Sequence, residues 1–325
     1  LGIRETERIF FTSGATESMN TVLGGLDYGE KGSSILVTQT EHNSVLRPVY
    51  NLEQLREHPV LVVKCTINGT VTEEALETAV RPDSRVLIVN HCSNVTGCVQ
   101  DMEMIREFVK RHGLILIVDV SQSAGCIPVD ADKWEADALI FTGHKSLMGI
   151  QGTGGFYVRS GIELKPLKYG GTGRNSAQLT YENKDEYEVG TQNMPGITGL
   201  LAGAEFIEQT GLAAIMEKEA RLMEMLYCGL EQIEGVRSYG NHDVCRGPVM
   251  SLNFQGLKAS DAAYILESGY GIIVRSGLHC SPLIHKAMGT EEGGTVRVSV
   301  SWFTEEKDIK EFLGAATEIA ASVAR

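Results

Sequence analysis

No apolar run in this 325-residue chain is long enough to span a bilayer as a helix. No C-x-x-C pair occurs, and the cysteines are odd in number, seven in all. Neither a disulfide framework nor a zinc site is suggested. Cys92 and Cys98 bracket His91, but that spacing is a poor metal signal. Most of the cysteines read as small buried apolar residues in a reducing compartment. Positive charge is short: 29 Lys and Arg stand against 42 Asp and Glu, for a formal net charge of -13 with the signs interspersed. That argues against nucleic acid or an anionic membrane surface as partner, and a soluble acidic protein of the cytoplasm is expected. Internal repeats and low-complexity tracts are absent. So is a glycine fingerprint after the first strand, which disfavours an NAD-binding oxidoreductase. The G-x-G-G within GIQGTGG (149–155) has no helix behind it and reads as a flexible turn. Leu1-Gly2-Ile3 carries neither an initiator Met nor a signal-peptide pattern.

What is present centres on residues 114–145. Leu114 to Val118 reads as a buried strand that stops at Asp119, and Ala138 to Phe141 as another that stops at Thr142-Gly143-His144-Lys145. Short apolar runs without polar alternation fit parallel strands covered on both faces. In open α/β sheets, ligands bind beyond the carboxyl ends of the strands. An acid and a lysine are thus carried toward one crevice. A lysine amine can form a Schiff base with an aldehyde, and an aspartate facing a pyridine nitrogen keeps that ring an electron acceptor. Together they are the protein's half of pyridoxal-phosphate chemistry. Either residue alone reads as well as a turn aspartate or a surface lysine.

The rest of the chain follows the same rhythm. Arg8 to Thr12 is a short strand, and Ser13 to Ser18 leads into a helix through Leu26, a ready anion site. Strand 34–38 is followed by Glu41-His42-Asn43-Ser44, where His42 could stack on a planar ring or act as acid or base. Helix 45–57, strand 60–64, helix 73–80 and strand 85–90 come next, the last leading into His91-Cys92-Ser93-Asn94. Helix 101–112 closes at Gly113, a natural C-cap. After strand 156–159, residues 165–195 are polar and Gly-rich, and a loop this long is functional or lies at an interface. Helices 196–209 and 211–234 follow. Beyond them strands 248–254, 272–275 and 295–299 alternate with helices 259–268 and 305–323.

Cys280 lies in Arg275-Ser276-Gly277-Leu278-His279-Cys280-Ser281-Pro282, a punctuated loop where a thiol is accessible and a neighbouring His and Arg favour thiolate. Arg275 and Arg297 are suited to hold a carboxylate bidentately. The plainer alternatives are a loop cysteine of no consequence and a strand-edge charge.

FTSGATESMN, TEHNSV, SNVTG, VDVSQSAG, TGHKSLMG, YGGTG, VGTQN, RSGLHC and RVSVSWF stand in this order along nearly the whole chain. In combination they resemble the cysteine desulfurases, pyridoxal 5'-phosphate (PLP) enzymes of the class V aminotransferase group. The RSGLHC form resembles the SufS/Csd-type branch. The resemblance implies an α/β fold of PLP fold type I: a large domain (1–209) with a mainly parallel sheet, a smaller C-terminal α/β domain (210–325), and a homodimer. It implies that Lys145 bonds the cofactor, Asp119 pairs with the pyridine nitrogen, Gln122 with the phenolic oxygen, and His42 stacks on the ring. Ala15, Thr16, Thr142 and His144 would hold the phosphate, and Thr172 the phosphate of the partner subunit. Asn94 and Arg297 would bind the substrate carboxylate, with Arg275 close by. Cys280 would take sulfur from L-cysteine as a persulfide, releasing alanine, and pass it to a small acceptor protein. The family's segment before RIFFTSGATES, with an Asn-Ala-Ala-Thr-type strand, is not in the sequence. Selenocysteine lyase, another class V reaction such as transamination, and a non-catalytic sulfur-pathway scaffold are the competing expectations.

Overall fold

The computed structural model describes residues 1–173, 177, 179–180, 187–240 and 246–323. Seven strands form the first sheet: β1 (Ile9–Thr12), β2 (Ser34–Thr38), β3 (Val60–Val63), β4 (Ser84–Asn90), β5 (Ile115–Asp119), β6 (Ala138–Thr142) and β7 (Gly154–Val158). Their spatial order is β1-β7-β6-β5-β4-β2-β3. Strands β2 to β6 pair in parallel, and β7 runs antiparallel to β1 and β6. Every residue of β2, β6 and β7 is buried, as the unalternating apolar runs require.

Successive side chains of these strands go to opposite faces. Ile35, Val37, Ile88, Ile117 and Ile140 join one core with helices α1 (Ala15–Gly25) and α2 (Asn43–Arg56). Leu36, Leu87, Leu116, Val118 and Leu139 join the other with α3 (Glu73–Ala79) and α4 (Met102–His112). Helix α4 shows why the sequence folds this way. Asp101 caps it by accepting from the N–H groups of Glu103 and Met104, and Gly113 ends it at φ 63. Its buried face is Met102, Ile105, Phe108 and Val109. Burying each contributes about 1.5–3 kcal/mol, so Phe108→Ala is expected to cost about 3–5 kcal/mol.

Helices α5 (Met194–Thr210) and α6 (Leu212–Glu231) lead to a second sheet. Strands β8 (Val236–Tyr239), β9 (Val249–Phe254), β10 (Arg275–Gly277) and β11 (Thr295–Ser299) lie in the order β10-β11-β9-β8, all antiparallel. It shares one core with α6, α7 (Ala259–Tyr270) and α9 (Glu306–Val323). A further short helix, α8 (Pro282–Met288), follows the cysteine loop.

Three local expectations change. The strand expected at 272–275 is β10 at Arg275–Gly277; residues 272–274 leave the α7 C-cap as a connector on which Ile273 is 82% exposed. Gly154 and Gly155 belong to β7 and not to a flexible turn. A Cβ on Gly155 would sit 2.5 Å from the Phe141 ring, and one on Gly154 2.6 Å from the Gly14 Cα. Glycine lets β7 pack this closely against the start of α1. Strand β8 and helix α8 lie outside the sequence expectation: β8 is four residues of mixed polarity, and Pro282, which starts α8, reads as loop punctuation. Among the described residues no helix is long and apolar enough to cross a membrane, and no cluster of three or more metal-ligating side chains occurs.

Candidate active site

The parallel strands β2, β4, β5 and β6 all end on one edge of the first sheet, and Asn90, Asp119 and Thr142, the last residues of β4, β5 and β6, line a cavity of about 830 Å³. Ala15, Thr16, His42, Asn94, Asp119, Gln122, Thr142, His144, Lys145, Arg275 and Arg297 all line it. Thus residues up to 282 positions apart in the sequence, Ala15 to Arg297, share one wall.

At one end stands the N-terminus of α1. Gly14 precedes it at φ 148, and no side chain caps it. The first N–H groups of a helix have no partner within it, and the helix dipole makes that end attractive to an anion. Thr142, buried at the end of β6, shares a 3.0 Å hydrogen bond with Nδ1 of His144. Burial and the neighbouring Lys145 lower the His144 pKa.

Asp119 ends β5, and its Oδ1 accepts from the Ser121 N–H at 2.9 Å. Lys145 is exposed to the cavity, with protein packed around that opening. Enclosure lowers its pKa; Asp119 opposes that, and Arg297 and Arg275 reinforce it. A lysine with a lowered pKa yields its proton more readily.

His42 is the N-cap of α2. Its Nδ1 accepts from the Ser44 N–H at 3.0 Å, so that nitrogen carries a lone pair and a neutral ring bears its proton on Nε2. Burial lowers its pKa, Asp119 acts against this, and Lys145, Arg275 and Arg47 add to it. The neutral ring is the form favoured at neutral pH.

Arg297, on β11, donates from Nη1 to the Asn94 carbonyl at 3.0 Å, while its Nε is buried without a partner. Arg297 also lines the cavity, and a guanidinium there is suited to an anion such as a carboxylate. Arg275 donates from Nη2 to the Cys280 Sγ at 3.1 Å. Cys280 is half-buried and lies behind Arg275, outside the cavity wall itself.

Asn94 is engaged by hydrogen bonds of its own, and Thr172 lies apart from the cavity. The Asn94 carboxamide turns to the cysteine loop: Nδ2 donates to the His279 carbonyl at 2.7 Å, and Oδ1 accepts from Ser281 Oγ at 2.6 Å. Each end of the amide keeps capacity for one more hydrogen bond, and Asn94 lines the cavity with Arg297. Thr172 is half-buried and does not line the cavity. Neighbouring residues 174–176 lie outside the described residues.

Two acids went unnoticed in the sequence. Glu41 is wholly buried; its Oε1 accepts from Thr38 Oγ1 and from the Asn90 N–H, both at 2.6 Å, while Oε2 has no partner. Burial, with Asp119 nearby, pushes its pKa well up, so it stays neutral. Its position beside His42 in the strand-end segment was the available signal. Glu219 also lines the cavity, and burial pushes its pKa up to about 7. It breaks the apolar stripe Ile215, Leu222, Met223 and Leu226 of α6, the sort of mismatch that marks a functional position. The thiols of Cys65 and Cys126 are pushed up to about 12 by burial, and that of buried Cys92 well up. These thiols are unreactive. Cys245 lies outside the described residues.

The Aminotransferase class-V family model matches residues 1–312. The chain belongs to the class-V aminotransferase family. A probable cysteine desulfurase of Methanothermobacter thermautotrophicus is 34% identical over 325 residues, covering 98% of this chain and 80% of the relative. Among solved structures, an apo cysteine desulfurase from Thermococcus onnurineus NA1 superposes with a TM-score of 0.91 at 32% identity, covering 98% of this chain and 80% of that one. The cysteine desulfurase CsdA (S-sulfonic acid) from Escherichia coli gives a TM-score of 0.90 at 26% identity, covering 98% and 80%. The mixed seven-stranded sheet is therefore that of PLP fold type I, as the sequence led us to expect.

Proposed function

We propose that this chain is a PLP-dependent cysteine desulfurase that removes sulfur from L-cysteine, giving L-alanine and a persulfide on Cys280. One observation carries the reading. A cavity that joins Lys145, Asp119 and a free helix N-terminus is flanked by an arginine bonded to a cysteine thiol. The names of the relatives support it.

The residues present fit PLP. The α1 N-terminus with Ala15, Thr16, Thr142 and His144 would hold the phosphate. Asp119 would hold the pyridine nitrogen, Gln122 the phenolic oxygen, and His42 the ring face. When bound, PLP supplies an aldehyde carbon for an amine and a ring that accepts an electron pair. Lys145, with its lowered pKa, is the group that holds and moves the substrate's Cα proton at Nζ. Arg297, which lines the cavity, orients the carboxylate together with Asn94, with Arg275 close by. Cys280 then attacks the substrate sulfur. An S–S bond forms, the C–S bond breaks with its electron pair kept by carbon, and that carbon is protonated to alanine. The sum, thiol plus cysteine to persulfide plus alanine, needs no outside oxidant or reductant.

Residues 1–209 make the large domain and 210–325 the small one. The enzyme works as a homodimer in which Thr172 serves the partner subunit's phosphate, and it hands sulfur to a small acceptor protein. The test is incubation of the protein with PLP and L-cysteine under a thiol reductant. Sulfide and alanine should appear in equal amounts; pyruvate or a keto acid in place of alanine would instead mark a transaminase or a lyase.

A further inference from the structure

Ser281 occupies the N-cap position of α8. A serine there ordinarily accepts a hydrogen bond from the free N–H groups of its own helix. Ser281 makes no such bond. Its hydroxyl is turned away to donate to Oδ1 of Asn94 at 2.6 Å, and Nδ2 of the same amide donates to the His279 carbonyl at 2.7 Å. One side chain from the loop after β4 thus grips the chain on both sides of Cys280. The Cys280 carbonyl is held as well, by the Asn43 N–H at 2.7 Å. Ser281 is 0% exposed and Asn94 5%, so water cannot replace the bonds they make.

The grip has something to resist. His279 and Cys280 are both left-handed, at φ 52 and φ 61, a conformation that side chains other than glycine disfavour. Two such residues in succession relax toward extended backbone when nothing holds them. Relaxation would carry the thiol away from Arg275, which now meets it at 3.1 Å.

We propose that Ser281 and Asn94 form a latch that holds the Cys280 thiol in place for sulfur transfer, Ser281 acting as a positioning residue. This rests on the reading of Cys280 as the sulfur acceptor. It accounts for the surrendered helix cap, the paired left-handed residues and the inward use of the Asn94 amide.

The test compares Ser281→Ala, Ser281→Thr and Asn94→Asp in the PLP-loaded enzyme. Asn94→Asp keeps the acceptor for Ser281 and removes the donor to His279. Three quantities are read: kcat and KM for L-cysteine; the rate of Cys280 alkylation by iodoacetamide, by mass spectrometry; and the affinity for L-alanine, which lacks a thiol, from the visible absorbance. Ser281→Ala should lower kcat and alkylation roughly tenfold with L-alanine affinity unchanged, Ser281→Thr should restore both, and Asn94→Asp should lower alkylation by a similar factor. Parental kcat and alkylation in either folded variant would overturn the latch. So would a loss of L-alanine affinity in Ser281→Ala matching its loss of kcat, which would place the effect in substrate binding and not in the thiol. If Ser281→Ala does not fold, Asn94→Asp decides alone. Cys280→Ala, run alongside, separates the two readings: full alanine production by that variant would remove Cys280 from the reaction, whereas its inactivity beside a parental Ser281→Ala would sink the latch alone.

Discussion

Arg275 donates a hydrogen bond from Nη2 to the Sγ of Cys280, joining a residue of the cavity wall to a thiol behind it. A guanidinium hydrogen-bonded to sulfur fixes the position of the thiol. A charge-assisted bond of this kind is worth about 1.5–3 kcal/mol, roughly a tenfold effect or more on rate. Arg275→Ala should slow Cys280 alkylation at neutral pH by about that factor, as mass spectrometry would reveal; an unchanged rate would mean the contact is incidental.

Cys280→Ala separates sulfur from selenium. Breaking the C–S bond of cysteine needs a nucleophile to take the sulfur. Selenium leaves more easily, because its carbon bond is weaker and a selenol is ionised near neutral pH. The variant should make almost no alanine from cysteine yet keep appreciable turnover of selenocysteine. Equal loss on both substrates would place the thiol in selenium chemistry too.

Lys145→Ala should abolish borohydride-fixed attachment of pyridoxal to the chain. Among the lysines, Lys145 lines the cavity with Asp119. Peptide mapping that found the adduct on another lysine would end the assignment.

Glu219 ties stability to pH. Its pKa rises from 4.5 to about 7 in the folded protein. Between those values the unfolded chain has lost a proton that the native state keeps, so stability falls as pH rises through the window. The loss reaches about 3 kcal/mol above pH 7 and vanishes below 4.5. Glu219→Gln should flatten this decline. Denaturant midpoints at pH 5 and pH 8 that fall equally in variant and parent would show that Glu219 is not its source.

Gly154→Ala probes the joint between β7 and the anion site. The added Cβ would lie 2.6 Å from the Gly14 Cα and 2.8 Å from the Phe141 carbonyl oxygen. Overpacking of this kind costs about 1–3 kcal/mol, and here the backbone that must give is the start of α1. The variant should melt lower and lose PLP more readily on dialysis; parental retention would separate this contact from the cofactor site.

The sequence by itself determined the parts whose cause is local. Buried runs such as Ala138 to Phe141 became strands because no polar residue interrupts them, and α4 began at Asp101 and ended at Gly113 because those residues cap a helix. It also marked Asp119 and Lys145, since one ends a strand and the other lies three residues past the end of the next, where the carboxyl ends face a crevice. Tertiary structure alone decided what depends on distant backbone. The Asn94 amide had a choice of partners, and it was settled by the arrival of His279 and Ser281 from 185 and 187 positions along the chain. Glu41 and Glu219 became neutral or nearly so because of what packs over them, a solvation effect that no single residue encodes. The Arg275–Cys280 contact exists because β10 starts at Arg275 and the two left-handed residues bring the thiol back to it. Spacing can bring such residues to one edge of a sheet, but packing fixes which atoms then meet.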